Sequence, residues 1–164
     1  MARVFVSIGS NIDREQNIDV ALREMTAAWG ELQLSSVYES DAVGFDSAPF
    51  YNLVAGFNSD ESPRDIQDRL HAIEDSNGRL RTTELSARTL DLDLLLYDDL
   101  VMSDGKLVLP RTDIDRYAFV LAPLAEIAGN EHHPVSGVSY AELWAAFDAS
   151  QQQLTRIDWP VATN

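Results

Sequence analysis

Apolar and polar positions alternate over residues 3–8, with Val4, Val6 and Ile8 on one side, and the run stops at Gly9-Ser10-Asn11. Period-two alternation ending in a turn cluster predicts a first strand. Ile18, Ala21, Leu22, Met25, Ala28 and Trp29 then recur at helical spacing, Asp19, Arg23 and Glu24 fall off that face, and Gly30 stands where a C-terminal cap belongs. That spacing predicts an amphipathic helix. Residues 32–38 and 50–58 read as a second and a third strand, and the stretch 39–49 between them, rich in Asp, Ser, Gly and Pro, as a loop. Ser62-Pro63 offers an N-cap followed by proline at the first helical position, Ile66, Leu70 and Ile73 form an apolar face, and Asn77-Gly78 ends it. After the polar segment 79–87, residues 89–97 are too short and too leucine-rich for an amphipathic helix and are bounded by Asp98-Asp99; they predict a fourth, central strand.

The order β-α-β-β-α-β is the split arrangement of ferredoxin-like folds, in which two helices cover one face of a four-stranded antiparallel sheet. The expected class is therefore α+β. Residues 106–109 add a short strand, 119–127 a helix despite Pro123, 140–147 a further helix and 154–157 an edge strand, all C-terminal additions to the basic unit. At roughly 100–200 residues per domain, residues 1–164 are expected to form a single domain.

Composition narrows the partners. Twelve basic against 27 acidic residues give 12 − 27 = −15, which repels phosphate backbones and anionic lipid over most of the surface. Zero cysteines excludes disulfides, thiolate zinc sites, iron–sulfur clusters and a cysteine nucleophile. No apolar run approaches the ~20 residues of a membrane span, and Met1-Ala2-Arg3 leads directly into a strand rather than a signal sequence, so a soluble cytoplasmic protein is expected.

The most informative residues are Asp91 and Asp93 in Arg88-Thr-Leu-Asp-Leu-Asp-Leu-Leu-Leu-Tyr97. Residues two apart in a strand share a face, so both would lie with Leu95 and Tyr97, opposite Leu90, Leu92 and Leu94. Two like charges roughly 6–7 Å apart on an apolar strand repel unless a cation sits between them. With no His or Cys nearby, the donor set suits a hard, oxygen-ligated ion such as Mg²⁺. An ordinary strand whose polar face meets solvent accounts for the pattern equally well. Half of the twelve basic residues, Arg79, Arg81, Arg88, Lys106, Arg111 and Arg116, flank this pair. Guanidinium groups bind phosphate in a planar, bidentate way, so arginines around a magnesium pair suit a polyphosphate, although each arginine taken alone is also explained by a neighbouring acid. Walker and dinucleotide-binding glycine patterns are absent, and His132-His133 lacks partners at metal-ligand spacing.

Taken together, Ile8-Gly-Ser-Asn11, Tyr38, Gly44, Phe50-Tyr-Asn52, Glu74, Gly78-Arg-Leu-Arg81, Arg88-Thr-Leu-Asp-Leu-Asp93 and Phe119-Val-Leu-Ala-Pro-Leu-Ala-Glu-Ile-Ala128 resemble the 6-hydroxymethyl-7,8-dihydropterin pyrophosphokinase family. These folate-pathway enzymes move the diphosphate of ATP onto a pterin hydroxymethyl group and release AMP. The resemblance implies that Asp91 and Asp93 ligate two Mg²⁺ ions bridging the ATP phosphates, with Asp91 also facing the attacking hydroxyl. It further implies that Arg79 and Arg88 bind phosphate and that Arg81 lies in a segment closing over the substrates. His71, Glu74, Leu94 and Lys106 would lie near the nucleotide. The pterin would sit between Phe50 and Phe119, its polar edge held by Asn52 and by backbone around Ser40 and Val43. A monomer is expected.

Three positions depart from the family pattern. Arg111 replaces the histidine of a Pro-His pair, keeping a phosphate contact but no titratable group. Tyr117 stands where an arginine is expected, with Arg116 one place earlier. The segment 79–88 is one residue shorter than usual and has Leu85-Ser86-Ala87 in place of Trp-Gly-Pro. These changes keep two alternatives open: a relative acting on another pterin, and a non-catalytic nucleotide- or pterin-binding module.

Overall fold

A computed structural model describes residues 1–41, 49–77 and 90–158. Its centre is β1 (Ala2–Ser10), which pairs antiparallel with β4 (Phe50–Ser59) on one side and β5 (Asp91–Tyr97) on the other. Outside β4 lie β2 (Gln33–Leu34) and β3 (Val37–Ser40), and β8 (Leu154–Ile157) closes the sheet against β3. The order β5-β1-β4-β3-β8, antiparallel throughout, is the ferredoxin-like arrangement with one strand appended.

Two helices cover one face. The apolar sides of α1 (Arg14–Trp29) and α2 (Pro63–Ser76) meet Val4, Val6 and Ile8 of β1 through Ile18, Leu22, Met25, Ile66 and Leu70. Ser62 caps α2 by accepting a hydrogen bond from the Asp65 amide at 3.1 Å, ahead of Pro63 at the first position. On the opposite face, Phe5, Val54, Leu95 and Leu96 pack against α4 (Ala118–Ala128) and α5 (Tyr140–Ala146). The helix α4 runs through Pro123, because the one helical hydrogen bond the proline forgoes is outweighed by burial of Val120, Leu121 and Leu124.

Three expectations need correction, and two short elements went unread. The strand β5 lies at the edge of the sheet rather than at its centre. Its leucines are buried because helices cover both faces, so an apolar run reports covering layers, not sheet position. Within β5 the register shifts, with Phe5 opposite Leu96 and Val6 opposite Leu94. This bulge puts both Leu95 and Leu96 into the second core and turns Tyr97 to the first, away from the side that carries Asp91 and Asp93. Residues 32–38 do not form one strand but break at Ser35, whose hydroxyl accepts the Val54 N–H at 2.9 Å. Finally, β6 (Met102–Asp104), which pairs with β7 (Leu107–Leu109), and α3 (Asp113–Arg116) are too short to leave a periodic signal.

Candidate active site

The pairing register builds the site. Gly9 lies opposite Asn52 on β4 and opposite Asp91 on β5, while Ser7 lies opposite Val54 and Asp93. Directly opposed residues share a face, so Asn52, Gly9 and Asp91 form one row across three strands. This row is the floor of a cavity of about 290 Å³, in which Ser7 and Asp93 form the next row. A Cβ at Gly9 would stand 3.3 Å from Asn52 Oδ1 and 3.7 Å from Phe50 Cδ2, so the missing side chain keeps the floor open.

At the β4 end, Asn52 is 3% exposed, and its Nδ2 donates to Ser40 Oγ at 2.8 Å and to the Tyr38 carbonyl at 3.2 Å. These bonds fix the amide and leave Oδ1 as the acceptor beside Gly9. Phe50 and Phe119, both half-buried, line the same cavity, and Tyr117 stacks on Phe119 with ring centres 4.9 Å apart and planes at 21°. Flat aromatic walls with one fixed amide suit a planar heterocycle. Arg14 braces the nearby chain by pairing with Glu39 at 2.9 Å and donating to the Pro49 carbonyl at 3.0 Å.

At the β5 end, Asp91 and Asp93 both line the cavity. Arg111 reaches Asp93 at 3.6 Å and Asp113 at 3.2 Å. Burial of this guanidinium works against its charge, but Asp93, Asp113 and more remotely Asp91 outweigh burial and hold its pKa above the usual arginine value. The donors are carboxylate oxygens, and among the described residues no cluster of three metal-ligating side chains exists. Two carboxylates facing a polar cavity fit a hard cation whose remaining positions are filled by water and ligand oxygens.

The other expected residues lie elsewhere. Glu74 is 3% exposed on α2 and its Oε2 accepts the Leu92 N–H at 2.7 Å, between the two aspartates, so it braces β5 from behind. Leu94 is buried in the first core, while His71 and Lys106 are exposed and do not line the cavity. Arg116 is likewise exposed and stays outside it. Arg79, Arg81, Arg88 and Val43 fall outside the described residues. Sequence reasoning missed Ser7, Asp41 and Asp113, which line the cavity. For Ser7 the signal was present: small residues at alternate positions of a strand, Ser7 and Gly9, mark the face left open. Asp41 and Asp113, in a loop and a four-residue helix, had none.

A family model described as 7,8-dihydro-6-hydroxymethylpterin-pyrophosphokinase (HPPK) matches residues 5–129. The chain is 36% identical over 148 residues to the 2-amino-4-hydroxy-6-hydroxymethyldihydropteridine pyrophosphokinase of Pseudomonas aeruginosa, covering 88% of this chain and 91% of that protein. It is 33% identical to the folic acid synthesis protein fol1 of Pneumocystis carinii over 84% of this chain, but spans only 19% of that longer protein. Among solved structures, the Plasmodium falciparum HPPK-DHPS crystallised with pterin and p-hydroxybenzoate superposes with a TM-score of 0.70 at 13% identity, over 88% of this chain and 42% of that one. That likeness is one of fold.

Proposed function

The chain belongs to the 7,8-dihydro-6-hydroxymethylpterin-pyrophosphokinase family, and we propose that the cavity between Asn52 and Asp91 is where it transfers diphosphate from ATP to the hydroxymethyl group of 6-hydroxymethyl-7,8-dihydropterin. AMP is released, and the product feeds folate synthesis. The observation that carries this reading is the row Asn52, Gly9, Asp91. Two strand spacings, roughly 9–10 Å, separate a fixed amide from a carboxylate along an open floor. That span suits a bicyclic ring with a one-carbon arm.

The pterin stacks between Phe50 and Phe119. Asn52 Oδ1 accepts from its amino edge, with Ser40 and backbone near Val43 completing that end. Its hydroxymethyl oxygen then points toward Asp91 and Asp93 and attacks the β-phosphorus in line with the departing AMP, while Asp91 accepts the hydroxyl hydrogen. Asp91 and Asp93 would hold Mg²⁺, which supplies charge neutralisation on the polyphosphate. Arg111 adds a permanent positive charge beside Asp93, and Arg79, Arg81 and Arg88 are assigned to the phosphates. His71, Leu94 and Lys106 are assigned to the nucleotide side. Glu74 acts by fixing β5, and Arg116 is assigned with the other arginines to the phosphates.

A net charge of −15 argues against nucleic-acid or anionic-membrane partners. Among the described residues no helix is long and apolar enough to cross a membrane. Residues 1–164 are read as one cytoplasmic, monomeric domain. The aromatic pair Tyr117 and Phe119, in place of an expected arginine, favours as second reading an acceptor that is another pterin.

The test is AMP formation from ATP, Mg²⁺ and 6-hydroxymethyl-7,8-dihydropterin, run beside Asp93→Ala. Product from the native protein alone supports the reading. A folded native protein that binds ATP yet forms no AMP with this pterin or any other sinks it.

A further inference from the structure

Beyond the family match, which ends at 129, the side chain of Gln152 reaches back to the site. Gln152 Oε1 accepts the Ala118 N–H at 2.8 Å, and its Nε2 donates to the Arg116 carbonyl at 2.9 Å. Ala118 is the first residue of α4 and Arg116 the last of α3. An N–H in the first helical turn has no partner within its own helix, and Tyr117, which serves as the N-cap, supplies no side-chain cap. The Gln152 amide thus spans Tyr117 on both sides, as a paired strand would. It closes the joint from which the Tyr117–Phe119 stack projects into the cavity.

Gln152 is itself held at both ends. Its N–H donates to the Ala149 carbonyl at 3.0 Å, and the Ser150 N–H donates to Asp148 Oδ1 at 3.0 Å, forming a tight turn. Two residues later Leu154 enters β8 opposite Ser40, the residue whose hydroxyl fixes Asn52. One short segment therefore registers the aromatic wall against the amide at the other side of the pterin position.

We propose that Gln152 is a positioning residue that sets the Tyr117–Phe119 wall and through it the affinity for the pterin. The consequence for pterin rests on the function proposed above; the clip itself does not. An amide is required because the two backbone groups have opposite polarity, one donor and one acceptor.

The test compares native protein with Gln152→Ala and Gln152→Glu, with Gln153→Ala as the control. The first readout is tryptic cleavage after the exposed Arg116, compared with cleavage after Arg23 and Arg64 in α1 and α2. Loss of the clip should speed cleavage at Arg116 severalfold and leave the other two sites unchanged. The second is steady-state kinetics: the KM for pterin should rise about tenfold in Gln152→Ala, the equivalent of roughly one net hydrogen bond to each backbone group, while the KM for ATP stays put. Gln152→Glu keeps the oxygen for Ala118 but lacks the donor for Arg116, so it should fall between, and it carries the test if the alanine variant does not fold. Unchanged cleavage and pterin KM would overturn the proposal. So would equal rises in both KM values with a lowered Tm, which would mark a merely structural role. Faster cleavage in Gln152→Ala, from a native protein that forms no AMP, would support the clip and sink the functional reading alone.

Discussion

Arg111 and Asp93 face each other at 3.6 Å on the cavity rim, and the same guanidinium contacts Asp113 at 3.2 Å. The site thus carries its own counter-cation between two carboxylates. Because Asp93 and Asp113 hold that cation above an already high pKa, its charge persists at every working pH.

Replacing it should therefore be costly and, in one case, change the pH profile. Arg111→Ala is expected to lower kcat/KM by about 10²-fold without unfolding the protein, as for removal of one preorganised donor from a reacting centre. Arg111→His should recover part of that rate below pH ~6.5 and lose it as pH rises, since imidazole is cationic only below its pKa. The measurement is AMP release across pH 5.5–8.5, and a flat profile for Arg111→His would contradict this role.

Glu74, assigned by resemblance to the nucleotide side, receives the Leu92 N–H on its Oε2 at 2.7 Å in a buried setting. Glu74→Ala leaves that strand N–H without this acceptor and should cost about 1–3 kcal/mol in urea denaturation. Glu74→Gln, which retains an oxygen acceptor, should restore most of the loss. A nucleotide-contacting residue would behave otherwise, with a raised KM for ATP and unchanged stability.

The open floor at Gly9 gives a sharper handle on the pterin. Gly9→Ala would place a methyl 3.3 Å from Asn52 Oδ1 and 3.7 Å from Phe50. Gly9 does not sit at positive φ, so the backbone of β1 is not strained by the change and the melting temperature should fall only slightly. Calorimetry should show pterin binding weakened about tenfold, because the Asn52 amide must give way by a few tenths of an ångström and the methyl occupies the open floor.

Stability should fall in alkali. Burial, followed by the hydrogen bond to Glu126, pushes the Tyr38 pKa up to about 12, and burial with Glu131 and Asp115 nearby raises that of Tyr140 as well. Both favour the neutral phenol in the folded state. The unfolded chain releases these protons near pH 10, so stability is complete below that and declines as pH rises from 10 toward 12. Thermal melts at pH 9, 10 and 11 should show this decline. Tyr38→Phe should make it shallower.

The strands at 3–8 and 50–58, both long helices with their caps, and the paired aspartates were legible because period, capping and motif are properties of residues close in the chain. Phe50, Asn52 and Phe119 were legible through family resemblance, and all three meet in one cavity. Legibility failed where partners are distant in the chain. Nothing near Glu74 announces that its carboxylate will hold Leu92, and a leucine-rich run such as 89–97 reads alike at the centre or the edge of a sheet.

By itself, then, the sequence determined the order of the basic β-α-β-β-α-β unit, the α+β class, the acidic character and the family. Tertiary structure alone decided that β5 lies at the edge and that a bulge turns Tyr97 away from Asp91 and Asp93. It also decided that Arg111 sits between two carboxylates, and that Gln152 crosses 34 positions to Ala118 and 36 to Arg116. The physical reason is the same in each case. A local pattern states which face of an element is apolar, whereas register, edge and side-chain pairing arise only when faces from distant segments compete to be covered.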